Sequence, residues 1–311
     1  MKQILVFITI IIILSGCSSS RKVSNGTIYK TDENKYLIYK LYDSKLTKWT
    51  VPYEIIEVQS RFGKTNIIVS GDKNNPPVLL IHAMGVTATM WYPNVSELSK
   101  THRVYAINTI GDLGKSELSG MDNYPRNGQD YSEWLNDIME KLQISKCDVI
   151  GASMGGWISM NFAIHSPEKI NRLILLGPMG IKANTAGVMK RLLKVLLFPN
   201  QKNKEALTKW TLGDNQKVNE EMAEYMNTAM NCEGRMPIPK HIKREQLENI
   251  KAETLLILGE FDNPIGNPDK NIKFAKKCFK NLKTEVVKTG HLMSLENPKQ
   301  LNSLMVDFLN N

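Results

Sequence analysis

The sequence predicts an α/β chain built on a mostly parallel central sheet with helices on both faces, and three observations carry that prediction. Short continuous apolar runs at 78–82, 104–110, 147–152, 172–176, 254–258 and 284–287 alternate with helical segments, the pattern of strands buried on both faces. One of these runs passes through Gly151-Ala152-Ser153-Met154-Gly155 directly into a helical segment. The stretch between Pro178 and Thr254 is helical in composition and too long for a simple crossover. An insertion after a strand's C-terminal end stands over the edge where open parallel sheets bind ligands, so it reads as a helical lid.

The chain begins with a segment that is set aside before any fold is considered. Lys2 precedes an apolar run at 4–14, well short of the ~20 residues a membrane-spanning helix needs. Leu14-Ser15-Gly16-Cys17 follows, with a Ser18-Ser19-Ser20 spacer after it. These residues resemble the lipobox of bacterial lipoproteins. The resemblance implies a signal peptide over 1–16, cleavage before Cys17, lipid on its sulfur and new amine, and a protein held on the cell membrane facing away from the cytoplasm. Several acyl chains together anchor firmly where one is marginal.

With 311 residues, 42% of them hydrophobic, the chain can bury a full core. Beyond the leader the cysteines are Cys147, Cys232 and Cys278, an odd and widely spaced set that forms neither a disulfide framework nor a metal-binding pair. Cys147 falls inside a strand run and reads as a core thiol. The formal charge of +9 suits a protein lying against anionic lipid or cell wall. Basic–aromatic interleaving is missing, which disfavours nucleic-acid binding. No phosphate loop, dinucleotide fingerprint or metal-ligand spacing is visible, and no cofactor is expected.

Taken in order, residues 17–50 read as a tether and N-terminal extension: polar to about Asn34, then a helical stretch at 36–49 outside the core pattern. Runs at 53–60 and 65–70 flank Arg61-Phe62-Gly63-Lys64 as an antiparallel hairpin. The core is expected over 51–178 and 251–311, with helices at 131–142, 269–279 and 298–309, and the lid over 179–250, with helices at 188–198 and 219–230. The 188–198 helix is basic and amphipathic, which admits contact with lipid. The favoured reading is a lid helix whose apolar face covers an acyl pocket, since buried faces are the usual fate of such stripes.

Glycines flank Ser153 because a strand-to-helix corner this sharp has no room for a Cβ. The following helix start supplies unpaired N–H groups and a positive dipole end. The strand order, with Ser153 after the third crossover strand, resembles the α/β-hydrolase fold over roughly 53–309. Met90-Trp91-Tyr92-Pro93-Asn94, Ile110-Gly111-Asp112 and Gly290-His291-Leu292-Met293-Ser294-Leu295-Glu296, together with Arg61-Phe62-Gly63-Lys64-Thr65, resemble small bacterial carboxylesterase-type hydrolases within it. That resemblance implies a triad in chain order Ser, acid, His.

Ser153 stands at the nucleophile's position and needs a base. Of the five histidines, His291 after the last strand matches the family's catalytic position, while His82, His102, His165 and His241 fall in other contexts. Asp262 matches the acid, with Glu260 as its neighbouring alternative; a carboxylate there fixes the imidazole tautomer and stabilises the imidazolium. The oxyanion donors implied are the N–H groups of Met154 and Met84, although His82-Ala83 stands where the family has His-Gly. Gly111-Asp112-Leu113-Gly114-Lys115-Ser116 reads as a structural turn rather than a second acid. A serine rather than an aspartate at 153 argues against dehalogenation.

The activity implied is cleavage of a small-molecule carboxylic ester through an acyl-enzyme. A peptidase or amidase of the same fold stays open, because one triad hosts many reactions, as does a non-catalytic ligand-binding lipoprotein. An intact triad argues against the last. Oligomeric state has no signature in the sequence.

Overall fold

A computed structural model describes residues 27–182, 185–213, 215–229 and 232–311. The leader, the lipobox and Cys17 lie outside these described residues. The chain runs through α1 (Asp32–Leu46), β1 (Tyr53–Ser60), β2 (Gly63–Ser70), β3 (Pro77–Ile81), α2 (Val95–Leu98), β4 (Arg103–Ile107), β5 (Glu117–Leu118), α3 (Gly128–Lys141), β6 (Cys147–Ala152), α4 (Met154–His165) and β7 (Ile170–Leu176). The lid follows as α5 (Thr185–Leu197), α6 (Gln201–Leu212), α7 (Gln216–Ala229) and the short α8 (Arg244–Leu247). The chain closes with β8 (Glu253–Gly259), α9 (Pro268–Ala275), β9 (Leu282–Val287), α10 (Met293–Glu296) and α11 (Pro298–Asn310).

Among the described residues one nine-stranded sheet forms in the order β1-β2-β4-β3-β6-β7-β8-β9, with β5 paired to β2. β1 and β2 make the expected hairpin, antiparallel from Tyr53↔Ser70 to Ser60↔Gly63. β4, β3, β6, β7, β8 and β9 are parallel. β3 and β6 are neighbours, with Ile81 opposite Gly151. The strand order reverses there, and the C-terminal ends of those two strands open a crevice. β6 is buried along its whole length and so is α4 from Met154 to Ala163. A helix this apolar, whose Ser159 and Asn161 side chains bond back to its own carbonyls, sits inside the molecule.

Two expectations are corrected at the N-terminal side. The polar tether was expected to run to about Asn34, with a helix at 36–49 outside the core. Instead Ile28 and Tyr29 are buried, and α1 starts at Asp32, capped by the Thr31 hydroxyl on Asn34 N–H. Ile38, Tyr42 and Leu46 recur at i, i+4 and i+8 and form one buried stripe. The Tyr42 hydroxyl joins the side chains of Asn66 and Asn108 at 3.2 Å each. Lys45 reaches Glu224 at 3.1 Å and Glu221 at 3.5 Å on α7, fastening α1 to the lid.

The expected strand at 104–110 stops at Ile107. Thr109 N–H leaves the ladder to donate to the buried His82 Nε2 at 2.9 Å, which bends the chain out over the crevice. The lid holds a helix that periodicity did not mark, α6, between the two that it did. No helix among the described residues is long and apolar enough to cross a membrane.

Candidate active site

β6 delivers Ser153 to the crevice on a strained corner. Its φ of 52° and ψ of −111° lie in a region L-residues seldom occupy. The corner holds because Ser153 N–H donates to Leu176 O at 2.9 Å, while its carbonyl accepts from Trp157 and Met179 N–H at 3.1 and 3.0 Å. The flanking glycines answer to crowding. A Cβ on Gly155 would overlap the Ile81 carbonyl oxygen, and one on Gly151 would overlap Ser159 Oγ.

Asp262 and His291 come from the turns after β8 and β9. His291 Nε2 lies 2.8 Å from Ser153 Oγ, and His291 Nδ1 lies 2.9 Å from each Asp262 carboxylate oxygen. With the carboxylate accepting at Nδ1, that nitrogen carries the proton and Nε2 is the base facing the serine. Asp262 is buried and accepts Ile265 N–H at 3.0 Å. The neighbouring alternative, Glu260, has its backbone N–H bonded to Val287 O, and no hydrogen bond joins its side chain to His291. Gly177, at φ +47°, makes room for the pair: a Cβ there would stand 2.7 Å from Asp262 Oδ2. Burial of His291 disfavours its charged form, but the Asp262 charge and hydrogen bond outweigh this, aided by Glu296, and hold the imidazole pKa above its ordinary value.

Met84 and Met154 line the same cavity as Ser153 and His291. Among the described residues neither N–H donates to a protein acceptor. The loop expected to supply an oxyanion donor is clamped on both sides. His82 Nε2 accepts from Thr109, so its Nδ1–H donates to Ala83 O at 2.8 Å. Gly85 N–H donates to the Asp112 carboxylate at 3.0 and 3.2 Å. Gly85 has a φ of +78°, whereas Ala83 is not among the residues at positive φ, so alanine fits where glycine was expected. Burial pushes the Asp112 carboxyl up to about 7, against the pull of Leu113 and Gly85 N–H.

Two clamps escaped sequence reasoning. Asp112 was read as part of a structural turn, but it holds the oxyanion loop. Glu296 carried no assigned role, yet it accepts Gly290 N–H at 2.6 Å and Leu292 N–H at 3.0 Å, on either side of His291. Acidic residues beside glycine-containing turns were the available signal. Of the other histidines, His102 lies against Asp148 at 3.4 Å, His241 against Ile181 O, and His165 is exposed at the end of α4. Cys17 lies outside the described residues. No cluster of His, Cys, Asp and Glu among the described residues is placed to hold a metal ion.

A cavity of about 240 Å³ opens above Ser153, with Met179, Val188, Leu192, Leu207 and Met222 in its walls. Its lid wall comes from α5 through Val188 and Leu192, and from α6 and α7 through Leu207, Leu212 and Met222. Val195 is buried, but Met189, Leu193, Leu196 and Leu197, with Phe198 just beyond the helix, are exposed, and Leu192 is also partly open to solvent. Beside the cavity, behind Leu207 and Leu212, runs a groove of about 970 Å³ lined by Lys190, Arg191, Lys194, Lys209 and Lys288.

Fold and site together define a protein of the α/β-hydrolase fold. Residues 76–225 match the family described as alpha/beta hydrolase fold. The chain is 28% identical over 298 residues to an uncharacterized carboxylesterase, nap, of Bacillus subtilis strain 168, covering 92% of this chain and 96% of that one. It is 27% identical over 286 residues to carboxylesterase YbfK of the same strain, covering 89% and 95%. The crystal structure of naproxen esterase (carboxylesterase NP) from Bacillus subtilis superposes with a TM-score of 0.81 at 28% identity, over 90% of this chain and 99% of that one.

Proposed function

We propose that the protein hydrolyses small carboxylic esters through an acyl-enzyme formed on Ser153. The broad class, a carboxylic-ester hydrolase, rests on the carboxylesterase relatives matched along nearly their whole length. The observation that carries the finer reading is the unbroken line from Asp262 through His291 to Ser153 Oγ, ending at an apolar cavity lined by Met84 and Met154, whose N–H groups donate to no acceptor among the described residues.

In this reading His291 Nε2 takes the Ser153 proton as Oγ attacks the ester carbonyl, and Asp262 stabilises the imidazolium that forms. The negative charge arrives on the former carbonyl oxygen beside Met84 and Met154 N–H, each such donor contributing about 3 kcal/mol. His291 returns the proton to the departing alkoxide, releasing the alcohol. It then deprotonates a water that attacks the acyl-serine, and passes that proton to Ser153 Oγ as the acyl–oxygen bond breaks and the acid leaves. The cavity of about 240 Å³ fits short acyl or alcohol portions better than long chains.

Hydrolysis of a p-nitrophenyl ester series from acetate to long acyl chains, with Ser153→Ala as control, tests this. Turnover with a short-chain optimum that vanishes in the variant is expected. Turnover retained by the variant, or none on any ester by folded protein, overturns it.

We further propose that lipid on Cys17 anchors the protein at the cell membrane, facing away from the cytoplasm, on the strength of Leu14-Ser15-Gly16-Cys17. Metabolic labelling with palmitate that Cys17→Ala abolishes is the expected result. Equal labelling of both forms would exclude it.

A further inference from the structure

The three sides of α5 do different things. At about 100° per residue, Val188, Leu192 and Val195 share one side; the first two border the catalytic cavity and Val195 is buried. Lys190, Arg191 and Lys194 share a second side and line the neighbouring groove. Between them Met189, Leu193, Leu196 and Leu197 form a third side. With Phe198 just beyond the helix, it lies open to solvent: Leu196 is 62%, Leu197 52% and Phe198 61% exposed. Scattered exposed apolar residues are ordinary, but this many on one helix and its end mark a contact surface.

Charge decides what fits the surface. Among the described residues, no acidic side chain lies within ion-pair distance of Lys190, Lys194 or Lys288. Arg191 stacks on Trp210 at 4.0 Å. Among the described residues of the groove lining the one carboxylate, Glu296, is turned to the Gly290 and Leu292 N–H groups. An exposed apolar arc beside a row of cations is complementary to acyl chains lying under anionic headgroups. A second copy of the chain fits poorly, because a two-fold contact brings together two patches that carry the same row of cations.

We propose that α5 is an interfacial docking helix, which seats the lid and the mouth of the catalytic cavity on an anionic lipid surface through Leu196, Leu197 and Phe198 in the acyl region and Lys190 and Lys194 among the headgroups. The contact is separate from lipid attachment at Cys17. It does not depend on the esterase reading, and its test reads binding rather than turnover.

The test uses the chain from residue 27 onward, which removes the leader and Cys17. The retained chain holds every described element, and a cooperative melting transition establishes that it is folded before partition is measured. Partition is measured by flotation with phosphatidylcholine vesicles, with and without phosphatidylglycerol. Binding to the vesicles containing phosphatidylglycerol, weakened by salt, is expected. A Leu196→Ser/Leu197→Ser/Phe198→Ser variant loses roughly tenfold or more of that partition. A Lys190→Gln/Lys194→Gln variant loses about fivefold per lysine, and only on anionic vesicles. An unchanged melting temperature establishes that each variant is folded. Absence of wild-type partition, or partition undiminished in either variant, overturns the proposal. A solution dimer that the serine variant dissolves also overturns it, in favour of a second copy as the occupant.

Discussion

Glu296 grips His291 without touching its ring: the carboxylate takes the backbone N–H groups on both sides of the histidine, from Gly290 at 2.6 Å and from Leu292 at 3.0 Å. A catalytic base at a loop tip needs its backbone fixed, because displacement of about 1 Å can cost on the order of 10² in rate.

Glu296→Ala should therefore lower kcat by roughly tenfold or more with little change in KM. Glu296→Gln, which keeps an acceptor oxygen, should recover part of it. Glu296 also adds to the negative field at His291, so both variants should move the acid limb of the pH–rate profile to lower pH. A merely structural residue would leave that limb in place, and steady-state kinetics across pH distinguishes the two.

The wild-type profile follows from the same imidazole. His291 must be neutral to accept the serine proton, and its pKa is held above the ordinary imidazole value because Asp262 and Glu296 outweigh its burial. Activity should rise with pH through a midpoint above 6.5. Asp262→Asn removes the charge and should shift the midpoint down while lowering kcat by roughly 10⁴. A wild-type midpoint below the ordinary imidazole range would contradict the arrangement.

Stability should carry a second pH signature, from His82. Its ring is fully buried, and burial lowers its pKa from 6.5 to about 4 despite the Ala83 carbonyl. The unfolded chain takes up this proton at higher pH than the folded one. The neutral ring therefore contributes stability above pH 6.5 that is lost as pH falls toward 4, amounting to roughly 3 kcal/mol. Melting temperatures of wild type and His82→Asn should converge over that window, and parallel curves would count against it.

Gly155→Ala probes the seat of α4. Its Cβ would overlap the Ile81 carbonyl oxygen and stand 2.7 Å from His82 O, so α4 must retreat from β3. A loss of about 3 kcal/mol is expected, with a fall in kcat because Met154 N–H and the oxyanion loop part. Thermal denaturation and ester turnover on one preparation check both halves.

The hydrogen-bonded line of Asp262, His291 and Ser153 was legible because its determinants are local. The glycines around Ser153 record crowding that any such corner must obey, and Asp262 and His291 sit in turns after apolar runs that the sequence marks plainly. What escaped depends on distant partners. Nothing within 32–46 says that Tyr42 will meet Asn66 and Asn108, so the helix read as peripheral. Asp112 and Glu296 act on backbone N–H groups, which carry no residue identity to read. The strand expected to reach Ile110 ends early because His82, a remote residue, captures Thr109 N–H.

The N-terminal entry also gives the molecule a mechanical path. Ile28 O accepts Glu233 N–H at 2.6 Å, Tyr29 bridges Cys232, and the Tyr29 hydroxyl donates to Gly114 O at 2.6 Å. Tension drawn along the chain ahead of Thr27 is thus delivered first to the returning arm of the lid and to the loop carrying Asp112, and only afterwards to the sheet. A pull on this end of the chain strains the cover of the cavity before it strains the core.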